Sequence, residues 1–228
     1  MNNRRPLGLI LVLVPLFLLS VNVAADAQQQ KTDKAASPST DTRFFCKEVR
    51  NMPRVPYKPH DNAGPEEIVA PIRARRGGTL LNLDRILLHS PAYAIGWNGF
   101  LRTVRNELSL SPKLRELAVC GVVVLNGAEY GFHHHAPEFV RAGGTEAQVR
   151  ALRDFEAAAN NTALFDAAER AVMQLTFEMT RNVQVSDAAF AAVKAALPDE
   201  QQVVELVGVI ATYNMVSRFL VALGVEPE

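Results

Sequence analysis

The sequence predicts an all-α protein, a compact bundle of about seven or eight helices behind an extended proline-rich N-terminal arm. Three observations carry that prediction. Apolar residues recur at helical spacing, as in Phe165, Ala168, Val172, Leu175 and Met179, which lie 3, 4, 3 and 4 positions apart. Helix boundaries are written in Ser111-Pro112, Asn126-Gly127, Gly143-Gly144 and Pro198-Asp199-Glu200. No segment alternates apolar and polar residues as a half-buried strand would.

Taken in order, residues 1–27 read as a signal peptide. Arg4 and Arg5 precede an apolar run from Leu7 to Leu19, and Val23-Ala24-Ala25 and Ala25-Asp26-Ala27 are two candidate cleavage sites. The protein is therefore expected to be exported, periplasmic or secreted. An uncleaved anchor is the alternative, and Arg4-Arg5 admits a twin-arginine route. No later segment is read as a membrane span, so none is expected after processing. Residues 28–43 hold no large apolar side chain until the arm begins and form a disordered leader. Residues 44–78 are the arm, with Pro53, Pro56, Pro59 and Pro65 excluding a regular helix through its first half.

Residues 79–228 form the helical domain. Thr79–His89 is a short helix stopped by Ser90-Pro91, and Ala92–Leu108 is a second. Ser111-Pro112 opens a helix that is apolar almost all round to Leu125. Asn126-Gly127 breaks it, and a further helix runs from Ala128 to Ala142. Thr145 and Gln148 form a capping box for the helix that follows. Ser186-Asp187 opens a short helix, and the last one, to Leu223, is apolar on nearly every face. Two helices apolar all round in so small a domain point to burial against other subunits.

Charge is balanced, 24 basic against 24 acidic residues, and no basic stripe is interleaved with aromatics, so nucleic acid is not an expected partner. Arg73, Arg75 and Arg76 read as a solvated loop. Cys46 and Cys120 would allow one disulfide in an oxidising compartment, but Cys120 lies among Ala118, Val119, Val122 and Val123, where a cysteine packs as a small hydrophobe.

The chemistry-bearing residues concentrate between Glu116 and His135. His133, His134 and His135 are consecutive and cannot share one helical face, so they form no metal cage by themselves. Glu129 and His133 do share a face, but a metal on that pair needs further ligands, such as His89. Glu116 sits one turn inside an apolar helix, and a buried glutamate calls for a partner. Glu116 and His135 would be about 28 Å apart on one straight helix. The break at Asn126-Gly127 lies at their midpoint, so an antiparallel hairpin brings them level. A carboxylate beside an imidazole orients it and sets its pKa, as a general acid/base requires.

The run Arg115-Glu116-Leu117, Glu129-Tyr130-Gly131-Phe132, His135 and Ala142-Gly143 resembles the carboxymuconolactone decarboxylase family, which includes alkylhydroperoxidase D-like proteins. Val204-Glu205-Leu206-Val207 with Tyr213-Asn214-Met215-Val216 is similar to that family's last helix. The resemblance implies a helical fold assembled as a trimer or hexamer. It implies Glu116 and His135 as catalytic residues and places the redox cysteines of the hydroperoxidase branch at Ala128 and Gly131, so thiol-based peroxide reduction is disfavoured. The Glu-Tyr pair resembles the decarboxylase-like branch, although Gly131-Phe132 stand where that branch often has Glu-Trp.

The resulting expectation is cofactor-free decarboxylation or proton transfer on a small organic acid or lactone. His135 is the proton carrier and Glu116 its orienter, and Tyr130, Glu129, His133, His134, Tyr213 and Asn214 are candidate substrate contacts. A non-catalytic, oligomeric small-ligand-binding protein is the alternative, and a metal-dependent enzyme is a third reading.

Overall fold

The computed structural model describes residues 53–228. The stretches read as signal peptide and leader, Cys46 and the first part of the expected arm lie outside the described residues. Ten helices and no strand are found among the described residues. They are α1 (Glu66–Arg75), α2 (Asn82–Leu87), α3 (Pro91–Asn106), α4 (Pro112–Leu125), α5 (Glu129–Arg141), α6 (Glu146–Ala151), α7 (Phe155–Ala159), α8 (Ala167–Arg181), α9 (Asp187–Ala196) and α10 (Glu200–Leu223).

The count exceeds the seven or eight expected for two local reasons. Glu66–Arg75, within the stretch read as an extended arm, is helical: Pro65 stands at its N-cap and Glu66 and Glu67 sit in its first turn, where acids favour a helix start. The helix opened by the Thr145–Gln148 box stops at Ala151, and Asp154 caps a new one by accepting the Ala157 N–H. Ahead of α1, residues 53–65 have no regular helix and lie along the chain's own surface. The Arg54 N–H donates to the Leu223 carbonyl at 2.8 Å, the Arg85 guanidinium donates to Lys58, and His89 Nε2 donates to Pro56 at 2.7 Å. His89 is thereby a strap holding the arm, away from the Glu129–His133 face on which a metal had been considered.

α4 is the centre of the molecule. It packs against α5, α8 and α10, and its residues from Glu116 to Val123 are all buried. This is what an all-round apolar helix requires. α10 has the length and hydropathy of a membrane-crossing helix, contrary to the expectation that no second segment would. It spends that apolar surface on the core, burying Val203, Leu206, Val209, Ile210, Val216 and Leu220.

The caps read from sequence form as expected in most places. Thr145 accepts the Gln148 N–H and Gln148 answers to the Thr145 N–H, closing the capping box. Asp199 and Ser186 cap α10 and α9. Ser111 occupies the N-cap of α4 without a side-chain bond, and Pro112 at the first position sets the start instead.

The turn between α4 and α5 shapes the site. Asn126 ends α4, and Gly127 takes φ +64°, a left-handed conformation that glycine adopts without a Cβ penalty. The Ala128 N–H closes the turn on the Val123 carbonyl at 2.8 Å. α5 then runs back along α4. At Gly131 the two helices touch: a Cβ there would come within 2.5 Å of Val123 Cγ1.

Candidate active site

The hairpin sets Glu116 and His135 face to face. His135 Nδ1 lies 2.7 Å from Glu116 Oε2, and both residues are buried. The other carboxylate oxygen accepts Arg115 Nε–H at 3.2 Å. On the far side of the imidazole, Nε2 lies 3.2 Å from the Tyr213 hydroxyl, and that hydroxyl accepts Arg105 Nε–H at 2.9 Å. The Tyr213 ring meets His135 edge-on, with centroids 4.9 Å apart. Four helices contribute: α3 carries Arg105, α4 Glu116, α5 His135 and α10 Tyr213.

The hydrogen-bond directions fix one another. The Glu116 carboxylate can only accept, so Nδ1 carries the imidazole proton; Arg105 can only donate, so the Tyr213 oxygen accepts from it and offers its own proton to His135 Nε2. Nε2 is then the unprotonated nitrogen, and Nδ1–H donates to Glu116. Burial pushes the Glu116 pKa up, but the hydrogen bond and charge of His135, with Arg115, outweigh it and hold the carboxyl below its ordinary value. Burial pulls the His135 pKa down; Glu116 opposes this and Arg105 reinforces it, and the net position is below the ordinary 6.5. At neutral pH the site therefore holds a carboxylate and a neutral imidazole. The Tyr213 phenol is pushed up by burial, against the pull of Arg105, and stays protonated.

A cavity of about 260 Å3 opens onto these groups. Arg76, Arg105, Arg115, Tyr130, His134 and Glu138 form its polar lining, with Leu81, Leu83, Val216 and Leu220 as an apolar wall. The volume falls below the range typical of drug-sized ligands, so it suits a molecule of few atoms.

Of the substrate contacts expected from sequence, Tyr130, His134 and Tyr213 line this cavity. The Tyr130 hydroxyl points to Glu228 Oε1 at 3.4 Å, and His134 Nε2 lies 2.9 Å from Glu228 Oε2. Burial lowers the His134 pKa against the pull of Glu228. The structure does not bring the other three to the cavity. Glu129 is exposed and ion-paired with Arg153 at 2.8 Å, and His133 is exposed beside it on the outer face of α5. Asn214 points the other way, toward Asn126 and Thr180, and ties α10 to α4 and α8. A helical face shared by Glu129 and His133 is real, but it is the solvent face.

Sequence reasoning missed Arg105 and misplaced Arg76. Arg76 is no solvated loop residue: its guanidinium holds the buried Asp84 carboxylate through bonds of 2.9 and 3.2 Å at the edge of the cavity. Arg105 carried a usable signal. It continues the stripe Ala94, Trp97, Leu101 into a half-buried position, where a charged residue needs a reason to be.

Ala128 and Gly131 place no sulfur at the hairpin. Cys120 is fully buried in α4, and burial together with the nearby Glu116 charge pushes its thiol far above the ordinary range. Among the described residues no group of three histidine, cysteine, aspartate or glutamate side chains converges as metal ligands.

The architecture is that of the alkylhydroperoxidase D-like proteins. A peroxidase-related protein from Ralstonia eutropha, described as an alkylhydroperoxidase AhpD core, superposes with a TM-score of 0.66 at 17% identity, covering 78% of this chain and 93% of that one. A peroxidase-related protein from Silicibacter sp. gives 0.63 at 17% identity over 72% and 86% of the two chains. The debrominase Bmp8 in complex with 2,3,4-tribromopyrrole gives 0.60 at 18% identity over 71% and 86%. At these identities the likeness is one of fold. No curated protein matches the sequence. Residues 91–176, from α3 into α8, match the carboxymuconolactone decarboxylase family.

Proposed function

We propose that the protein is a cofactor-free acid/base enzyme acting on a small organic acid or lactone. The observation that carries this reading is the buried Glu116–His135 pair, 2.7 Å apart at the wall of a small cavity, with Nε2 of the neutral imidazole held by the Tyr213 hydroxyl at 3.2 Å and freed for a substrate proton when that hydroxyl turns to the substrate. Nε2 is the atom that takes a proton from a substrate carbon beside a carbonyl. The imidazolium so formed is stabilised by the Glu116 carboxylate. The electron pair left on the substrate moves onto its carbonyl oxygen as an enolate, and the Tyr213 hydroxyl, backed by the Arg105 cation, is placed to donate to that oxygen. The proton then returns from Nε2 to carbon. In a decarboxylation His135 first takes a proton from solution; the carbon–carboxylate bond then breaks, carbon dioxide leaves, and that imidazolium gives its proton to the carbon, returning to the neutral form.

The two uses differ in pH dependence. Base use gives a rate that rises through the His135 pKa and levels off; acid use gives one that falls. The test is turnover of a panel of carboxylactones and β-keto acids by the purified protein and by His135→Ala. Loss of turnover in the variant is expected. Equal rates would remove His135 from the chemistry, and binding without turnover in either protein would support a non-catalytic ligand-binding role.

The same reading has the chain exported and assembled with copies of itself. Tyr93, Ile95 and Phe100 on α3 and Val204 and Met215 on α10 are exposed large apolar side chains that a subunit contact would cover.

A further inference from the structure

Resting on the reading of this cavity as the substrate site, the geometry points to Arg105 as the receptor for a single carboxylate on the substrate, which narrows the ligand class to small monocarboxylates with an apolar body. The charges around the cavity carry the inference. Arg76 is matched by Asp84 at 2.9 Å, Arg115 by Glu116 at 3.2 Å, and Glu138 by Arg141 on the outer side of α5. Arg105 is the exception: among the described residues no carboxylate lies within 4.0 Å of it, and its one hydrogen bond goes to the neutral oxygen of Tyr213. Burial works against this guanidinium, and only Tyr213 in contact and Glu116 and Asp84 at longer range offset it, so a carboxylate from solution would be its first direct counter-charge.

The way Arg105 is held suits this role. Tyr213 engages Nε and leaves the two terminal nitrogens uncommitted, the paired donors that match the two oxygens of a carboxylate. The guanidinium carbon lies 5.9 Å from the Tyr213 ring centre, which limits its swing. One guanidinium with two free terminal nitrogens matches one carboxylate, and the Glu228 carboxylate against His134 and Tyr130 adds negative charge that disfavours a dianion such as phosphate. Across the cavity, Leu81, Leu83, Val216 and Leu220 offer an apolar wall for the rest of the molecule. A carboxylate on Arg105 also stands one residue removed from the reacting nitrogen, since Tyr213 bridges Arg105 and His135. Arg105 thus positions the ligand so that its neighbouring carbon faces Nε2.

Calorimetric titration with benzoate, benzamide and inorganic phosphate tests this on the full chain. Benzoate binds; benzamide, the same shape without the charge, binds at least about tenfold more weakly, and so does phosphate. Arg105→Gln weakens benzoate by about tenfold or more, as expected for loss of a charge-assisted pair, and Arg105→Lys recovers part of it because the charge remains and the fork does not. Arg102→Gln, an exposed arginine on the same helix, leaves affinity unchanged. A melting temperature for Arg105→Gln near that of the parent establishes that the fold persists. Should it fall, Arg105→Lys carries the comparison. The inference is overturned if benzoate fails to bind, if benzamide or phosphate matches it, or if Arg105→Gln and Arg105→Lys both bind like the parent. Its failure is separable from failure of the acid/base reading: turnover abolished by His135→Ala with no role for Arg105 sinks only the receptor, and benzoate held by Arg105 with turnover indifferent to His135 sinks only the chemistry.

Discussion

Replacing Glu116 by glutamine changes one atom and no shape, yet the structure gives it a specific consequence. The carboxylate accepts two N–H groups, Arg115 on Oε1 at 3.2 Å and His135 Nδ1 on Oε2 at 2.7 Å. Glutamine has one acceptor oxygen and must turn its NH2 toward one of these donors. The arrangement that leaves no donor facing a donor keeps the oxygen on Arg115 and inverts the imidazole tautomer. Nδ1 then accepts from the amide, and Nε2–H donates to the Tyr213 oxygen, which has a lone pair to spare. The bond to His135 becomes a neutral one and the bond to Arg115 keeps only its donor's charge, a loss of about 1–3 kcal/mol. For a domain of this size that lowers the melting temperature by about 2–12 °C. The chemical effect is larger, because the inward lone pair on Nε2 is gone: the general-base contribution of about 10²–10⁴-fold in rate should be lost. Nitrogen NMR of histidine-labelled protein reads the tautomer directly. The parent should show His135 protonated at Nδ1, and Glu116→Gln should show it protonated at Nε2 with turnover reduced by that factor. An Nε2 that stays unprotonated in the variant while turnover falls, or a tautomer that inverts while turnover persists, would refute the chain of reasoning.

Stability should fall with acid in a window that His135 sets. Its folded pKa lies below the ordinary 6.5, so the unfolded chain takes up the proton first. Stability is then fully present above about pH 6.5 and declines as pH drops toward the folded value, by up to about 1.4 kcal/mol per pH unit for one proton. Glu116, also lowered, adds a loss that starts below about 4.5. Urea unfolding of the parent should be steeper than that of His135→Asn between about pH 5 and 6.5, the difference isolating His135 from His134, which shifts in the same direction; parallel curves would contradict the assignment. Gly131→Ala should destabilise by about 1–3 kcal/mol, since its Cβ would meet Val123 Cγ1 at 2.5 Å, and Val123→Ala in the same chain should recover part of the loss in a denaturant titration. In a Cys46→Ser background, native protein should show no thiol reactive to an aromatic disulfide reagent and unfolded protein one; a fast native reaction would show Cys120 to be accessible and reopen thiol chemistry.

Much of the hairpin was legible in the chain because its signals are local. An Asn-Gly break midway between a glutamate and a histidine predicts their meeting, and the turn forms through the left-handed Gly127 as that pair of residues suggests. Ser186, Asp199 and the Thr145–Gln148 box were readable for the same reason. Which face of α5 would look inward was not. Glu129 and His133 share a stripe as plausible as that of His135, and only the packing of α4 against α5 at Gly131 decides between them. The Arg105–Tyr213 bond spans 108 positions and belongs to no motif. Asn214 shows the opposite limit: a polar residue in an apolar helix invites a functional reading, and here it closes a structural network with Asn126 and Thr180.

The family segment ends at residue 176, and Tyr213 lies beyond it on α10. The Glu116–His135 pair and the hydroxyl that meets it thus lie on either side of that boundary, brought together by the packing of α10 on the hairpin. Substitutions along α10 can change what the histidine addresses while the histidine and its carboxylate stay as they are. Tyr213→Phe would leave Nε2 without its hydroxyl and Arg105 without its oxygen, yet α4 and α5 would keep their contact intact. In such an arrangement the hairpin pair and the surface it faces can change independently, and α10 is the place to look when chains with the same hairpin differ in what they bind.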